Sequence, residues 1–169
     1  MTTIRKAIRN DIIQIMEIIA DAQHFLRAEG VDQWQDGYPT EAIIAEDIER
    51  GNLYVAECDN AEICAIAAII FDGEPTYSTI HNGEWPNDAP YAVIHRMAIR
   101  STARRSGLAQ LLFAFAEELC RKRGLNNIRV DTHSDNRAMQ SLLRRLNYTY
   151  CGQITLQSGA PRIAFIKEF

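Results

Sequence analysis

Between Arg96 and Leu112 the sequence reads RMAIRSTARRSGLAQLL, a short apolar run that passes through a cluster of arginines into a helical pattern with Gly107 in its first turn. The unpaired N–H groups of a helix start, with the helix dipole behind them, attract anions, and a glycine there lets the backbone come close to a ligand. Arg100, Arg104 and Arg105 lie just ahead of that start, where positive charge is unfavourable unless an anion is bound, and guanidinium groups match phosphate oxygens. Arg121, Lys122, Arg123, Arg144 and Arg145 instead lie near helix C-termini, complement the dipole and need no ligand. A pyrophosphate suits the first group. The chain has neither GxxxxGK[ST] nor GxGxxG, so a nucleotide would be held in another way.

The elements that position this loop follow from hydrophobic periodicity. Ile4 to Ile8 reads as a strand, and Ile12, Ile15, Met16, Ile19, Ala22 and Leu26 mark a first helix after a cap at Asn10 or Asp11. Thr40 caps a second helix through Ile43, Ile44, Asp47 and Ile48, which stops at Gly51. Leu53 to Glu57 and Ile63 to Phe71, joined by Asp59-Asn60, spell a hairpin. Residues 72–90 form a loop rich in Gly, Pro and Asn, long enough to be functional or mobile. Tyr91 to Ile99 is a strand, Leu108 to Leu119 one face of a helix ending at Gly124, and Ile128 to His133 another strand. Met139, Leu142, Leu143 and Leu146 mark a last helix, and strands near 148–156 and 162–169 close the chain around Ser158-Gly159. A strand-helix-strand crossover near residue 100 makes this a mixed α+β architecture with helices flanking one mixed sheet.

Length and composition set the bounds. A chain of 169 residues fits a single domain, 1–169, and its 47% apolar and 24% charged residues are those of a globular protein. Polar residues interrupt the apolar ones after Arg5, Lys6 and Arg9, which argues for an amphipathic helix over a signal peptide or membrane span. The four cysteines are widely spaced without a CxxC pair, so no metal site is expected and reduced thiols in a cytoplasmic compartment are the simplest expectation. A net charge of −4 and the lack of an interleaved basic and aromatic face speak against nucleic acid as a partner.

The residues Arg104-Arg105-Ser106-Gly107-Leu108-Ala109 fit the [Q/R]xxGx[G/A] signature of the GNAT superfamily of N-acetyltransferases, and the chain resembles that family along nearly its whole length. The segment VIHRMAI is similar to the strand that precedes the signature, and RVDTHSDNRAMQSLLRRLNY to the family's next strand and its N…(Y)…GF helix. The resemblance implies a GNAT fold, with about seven strands and about four helices, and acetyl-coenzyme A as cosubstrate without a metal. By it, the backbone of Met97, Ala98 and Ile99 would meet the pantetheine arm and the amides of Arg104, Arg105, Ser106, Gly107, Leu108 and Ala109 the pyrophosphate, with Asn136 near the thioester. It implies transfer of an acetyl group to a primary amine by direct attack in a ternary complex, in an enzyme of a family whose members often form homodimers. The chain departs from the pattern at Leu143, where the family has a tyrosine that protonates the thiolate, and at Asn147-Tyr148, where it has Gly-Phe. Ser141, Tyr148, Tyr150 or water would have to serve as acid.

The acceptor amine needs a base. Alternation along the strand puts Val93, His95, Met97 and Ile99 on one face, and the arylalkylamine acetyltransferases look similar in the offset of a histidine from the signature, so His95 is the catalytic candidate. A histidine satisfied by a core hydrogen bond is the competing reading. His81 and Glu84 are weaker candidates, and His133 suits a strand-end structural role. From residue 28 to residue 95 the chain carries fourteen acids and one base, Arg50, against eight acids and seventeen bases elsewhere. VDQWQDGYP and FDGEPTYSTIHNGEWPNDAP lie in that acidic part, which predicts a small cationic amine as acceptor, with Trp34, Glu84 and Trp85 as its contacts and Tyr38 and Tyr77 as further wall. Two alternatives stay open: a non-catalytic acyl-coenzyme A module that lost its acid at Leu143, and an enzyme for another acyl group or for a protein amino terminus.

Overall fold

The computed structural model describes residues 1–169. The elements run β1 (Thr3–Lys6), α1 (Ile12–Ala28), α2 (Glu41–Glu49), β2 (Leu53–Glu57), β3 (Ile63–Ile70), β4 (Ala92–Ile99), α3 (Leu108–Lys122), β5 (Asn127–Thr132), α4 (Arg137–Arg145), β6 (Thr149–Thr155) and β7 (Pro161–Glu168). The seven strands form one mixed sheet in the order β1-β2-β3-β4-β5-β7-β6, and four α-helices complete an α+β fold. The insertion of β7 between β5 and β6 is a long-range pairing that no local pattern encodes.

The chain divides into two compact units, Met1–Ile69 with His95–Ala116, and Ile70–Ile94 with Glu117–Phe169. In the first, β1 pairs antiparallel with β2 and β2 with β3, and the run ICAIAAII of β3 is buried from Ile63 to Ile69. Such a continuous apolar run is the mark of a strand covered on both faces. Ile15, Ile18 and Ile19 of α1 and Ile44 of α2 meet Val55, Ile66, Ala68 and Ala98 in one core, each large side chain contributing roughly 1.5–3 kcal/mol by leaving water. Thr40 caps α2 as its sequence predicts, its Oγ1 accepting from Ile43 N–H at 3.3 Å. The first strand stops short of the expected Ile8, because Asp11 draws the Ile8 N–H (2.8 Å) into a tight turn before α1.

In the second unit β5 pairs antiparallel with β7, β7 with β6, and Ala92 and Val93 run parallel beside Ile128 and Arg129. Asn147 ends α4 at φ 66°, and Tyr148 N–H reaches back to the Leu143 carbonyl at 2.9 Å. That left-handed position suits asparagine, the residue most tolerant of it after glycine.

Residues 72–90 are the clearest difference from a mobile loop. His81 and Gln153 exchange both backbone hydrogen bonds at 2.8 Å, and Glu84 N–H donates to the Cys151 carbonyl at 3.0 Å. Tyr77 is buried, and its hydroxyl donates to Asp131 Oδ2 at 2.5 Å. Arg129, 5% exposed, lies over the rings of Trp85 and Tyr91 at 4.2 and 4.1 Å and donates to the Asn87 carbonyl at 2.7 Å. The segment is a strap fastened to β5, β6 and β7 by its own aromatic and polar residues.

Candidate functional site

The bend of β4 begins the site. Arg96 has φ 53°, a left-handed residue inside a strand, which costs roughly 1–2 kcal/mol for a residue with a side chain. Period-two counting therefore does not run unbroken from Val93 to Ile99. Beyond the bend, Arg96 turns to Asp47 of α2 and Ala98 enters the core with α1 and α2, so alternation assigns Met97 and Ile99 to the opposite face. His95 stands immediately before the bend, half-buried, so alternation alone does not carry it to the Met97 face.

Arg96 is held on three points. Its Nε and Nη2 donate to Asp47 Oδ2 and Oδ1 at 2.6 and 2.8 Å, and Nη1 donates to the Tyr38 hydroxyl at 2.8 Å. The ion pair is almost wholly buried, with 12% and 7% of the two side chains exposed. Burial alone would favour neutral Arg96, but Asp47 and the Tyr38 hydroxyl together outweigh it and hold the guanidinium above its ordinary pKa. The sequence carried a signal for this pair. Asp47 falls in the apolar stripe of α2 with Ile43, Ile44 and Ile48, and a buried carboxylate requires a partner.

Downstream lies the arginine-rich loop. Arg105 (φ 62°) and Gly107 (φ 84°) are both left-handed, and α3 begins at Leu108. The first backbone bond of the helix runs from Leu111 N–H to the Gly107 carbonyl at 3.0 Å, so the amides of Leu108, Ala109 and Gln110 have no acceptor one turn back. Left-handed residues ahead of a helix start make a concave row of N–H donors, an anion-binding nest. Arg105, Ser106 and Gly107 are exposed, and a Cβ built on Gly107 would meet only Gln110 Oε1 at 4.0 Å. The glycine is there for its dihedral angle, and room for a ligand remains above it.

The arginines divide in a way the charge argument did not foresee. Arg100 Nε donates to the Ile63 carbonyl at 2.8 Å, and the side chain lies 3.4 Å from Glu17 and 3.5 Å from Glu62. Arg104 lies over Phe25 at 4.4 Å and donates to the Asp21 carbonyl at 3.1 Å. Both fasten the loop to α1 and β3, helped by Ser101 N–H on Asp21 Oδ2 at 3.0 Å, which with the nearby arginines holds the Asp21 carboxyl below the usual range. Their placement thus has a structural explanation, and the anion argument rests on the backbone and on Arg105.

The acceptor candidates belong to different units. Trp34 adopts φ 62°, packs against the α1–α2 core and lines a groove of about 210 Å³ with Gln23, His24, Arg27, Gln35 and Gly37. No carboxylate lines it. Some of the fourteen acids of residues 28–95 are spent on ion pairs: Asp47 with Arg96, Glu57 with Arg5, Glu46 with Arg50, Glu49 with Arg9 and Asp59 with the amino terminus. In the second unit Trp85 is held by Arg129 and by its Nε1 bond to the Tyr77 carbonyl (2.9 Å), while Glu84 is exposed. Asn136 caps α4, its Oδ1 accepting from Met139 N–H at 3.1 Å. His133 Nδ1 accepts from Asp135 N–H at 3.0 Å, the strand-end role expected of it. Leu143 is fully buried, and burial pushes the Tyr148 hydroxyl far above its ordinary pKa.

A strand bent at Arg96 and leading into a row of backbone donors at a helix start, within a mixed seven-stranded sheet, is an arrangement suited to an anionic coenzyme. The model of the acetyltransferase (GNAT) family matches residues 15–148, and the chain belongs to that family. A GNAT-family acetyltransferase of Streptococcus agalactiae 2603 is 37% identical, with a TM-score of 0.88 over 99% of this chain and 95% of its own. The uncharacterized N-acetyltransferase YesJ of Bacillus subtilis (strain 168) is 26% identical over 150 residues, 86% of this chain and 81% of its own. The PaiA N-acetyltransferase of Thermoplasma acidophilum, in complex with coenzyme A, shares the fold at 14% identity and a TM-score of 0.76, over 100% of this chain and 99% of its own. The family uses acetyl-coenzyme A. No group of three His, Cys, Asp or Glu side chains could hold a metal ion, and no helix is long and apolar enough to cross a membrane.

Proposed function

We propose that the chain is an acetyl-coenzyme A-dependent N-acetyltransferase that acts on a small-molecule primary amine by direct attack, with both substrates bound together. The observation that carries this reading is the nest formed by Arg105 and Gly107 ahead of α3. The backbone of residues 104–109 would hold the pyrophosphate, with the exposed Arg105 guanidinium adding charge, and the backbone of Met97, Ala98 and Ile99 would bind the pantetheine arm. Asn136 would lie near the thioester. The coenzyme supplies an activated thioester whose thiolate is a far better leaving group than an amine. His95 would take the proton that the attacking nitrogen must lose, and the groove lined by Trp34 would receive the acceptor.

A covalent route through a cysteine is disfavoured at three of the four thiols. Burial pushes Cys64 up to about 12 and Cys120 to about 11, and raises Cys151, so all three stay protonated and poorly nucleophilic. The groove carries no carboxylate to hold a cation, and its size favours a small acceptor. A second reading has its own observation: Leu143 fills with buried hydrocarbon the position at which the family places its acid. On that reading the chain binds acyl-coenzyme A and does not turn it over.

The deciding experiment measures thiol release from acetyl-coenzyme A against polyamines, amino acids, arylalkylamines, aminoglycosides and short peptides, for wild type and His95→Ala. A general base contributes about 100- to 10,000-fold, so kcat/KM on the best amine should fall at least about tenfold in the variant. Tight coenzyme binding without release on any amine would establish the non-catalytic module instead.

A further inference from the structure

Arg96 carries a buried charge, a left-handed backbone and a position between His95 and Met97, none of which the core requires. A buried ion pair gives little net stability over well-packed apolar residues, so this one calls for another explanation. Its contacts supply one. Asp47 lies on α2, about two turns beyond its cap at Thr40, and the Tyr38 hydroxyl, the third point of attachment, belongs to the segment 31–40 that contributes Trp34, Gln35 and Gly37 to the groove wall. Tyr38 is in turn fixed from the groove side. Gln23, which lines the groove, donates from Nε2 to the Tyr38 carbonyl at 3.1 Å, and the Trp34 ring meets the Tyr38 ring edge to face, with centroids 6.4 Å apart. A continuous line of contacts thus runs from the groove wall through Tyr38 and Arg96 to the bend of β4.

We propose that Arg96 is a positioning residue that couples the 31–40 segment to the bend of β4, so that the groove wall and the backbone around His95 and Met97 are set together. This rests on the acetyltransferase reading above for its consequence in turnover, and on geometry alone for the coupling. The forked guanidinium is required, because only a planar group with several donors satisfies both Asp47 oxygens and Tyr38 at once. Lysine would keep the charge and lose the fork. An acceptor pressing on Trp34 would be felt at the bend, and a loosened bend would blur the acceptor groove.

The test compares Tyr38→Phe, which removes a single hydroxyl, with Arg96→Lys, by two independent readouts. Backbone hydrogen exchange needs no substrate. Exchange across residues 31–40 and 94–98 should rise about tenfold or more in both variants, while β1 and β2 keep their protection. Kinetics on the best amine should show the acceptor KM rising about threefold or more in Tyr38→Phe and kcat falling about tenfold in Arg96→Lys, with the coenzyme A Kd, measured by calorimetry, within twofold of wild type. Tyr38→Phe keeps the buried ion pair and guards against a folding defect in the lysine variant. Wild-type exchange at 31–40 in both variants would overturn the coupling. Raised exchange with unchanged KM and kcat would overturn the positioning role. A wild type that turns over no amine would sink the acetyltransferase reading, and the exchange data would still decide the coupling.

Discussion

Gly107 is required by its backbone angle, and Gly30 offers the matching control. Both are left-handed, at φ 84° and 72°, and neither has a neighbour within contact distance that an added methyl group would strike. Alanine at either position should therefore cost a similar amount, roughly 1–2 kcal/mol. Only Gly107→Ala re-aims the amides ahead of α3, so only that variant should lose coenzyme A affinity, by about tenfold if one charge-assisted bond is lost. Thermal unfolding and calorimetric titration of the two variants side by side check this, and equal affinity in both would move the anion site away from the nest. Arg100 and Arg104 teach the complementary lesson. Their residue types and position invited an anion, yet a carboxylate, a carbonyl and an aromatic ring from α1 and β3 already satisfy them, and no local pattern could have shown those partners.

At the scale of elements, the strap 72–90 depends on backbone approach as much as on its side chains. A Cβ on Gly83 would fall 1.9 Å from the Cys151 carbonyl oxygen, so Gly83→Ala cannot be absorbed by a side-chain shift. It should cost about 3 kcal/mol, the upper end of typical overpacking, and expose 72–90 to limited proteolysis before the rest of the chain. The turn between β1 and α1 yields a pH prediction. Burial opposes ionisation of Asp11, but the Arg5 guanidinium at 2.8 and 3.0 Å and the Ile8 N–H at 2.8 Å outweigh it and hold the carboxyl below its usual range. A depressed folded-state pKa stabilises above the unfolded value of about 3.9, and that stability is lost as pH falls through the folded value. Urea titrations should show Asp11→Asn less stable than wild type at pH 7, with the gap closing only below about pH 4; a constant gap would assign the effect to packing. The helices and most strand cores were legible in the sequence because periodicity and caps such as Thr40 are local. The bend at Arg96 was not, since nothing in HRMAI announces a left-handed residue. Only Asp47, an acid in an apolar stripe, hinted that an arginine had to come to it. That the strap is tied down was not legible, because Gly, Pro and Asn mark irregular backbone without saying what holds it.

At the scale of the whole molecule, the expectation of one folding domain meets a chain whose contacts fall into two compact units. Two regular elements contribute to both: β4 gives Ala92–Ile94 to one unit and His95–Ile99 to the other, and α3 gives Leu108–Ala116 to one and Glu117–Lys122 to the other. Unfolding either unit alone would have to break a continuous helix and a continuous strand, losing hydrogen bonds that belong to its counterpart. We therefore expect a single calorimetric transition, with calorimetric and van't Hoff enthalpies in agreement. A ligand that binds the folded chain at a hundred times its Kd adds about 2.7 kcal/mol. For a chain of this size each kcal/mol raises Tm by roughly 2–4 °C, so saturating coenzyme A should move the whole transition up by roughly 5–11 °C. Two separated transitions, with only one moved by the coenzyme, would show that the units fold independently and that the shared elements break at the boundary. One transition that coenzyme A leaves in place would retain the single domain and remove the coenzyme from it.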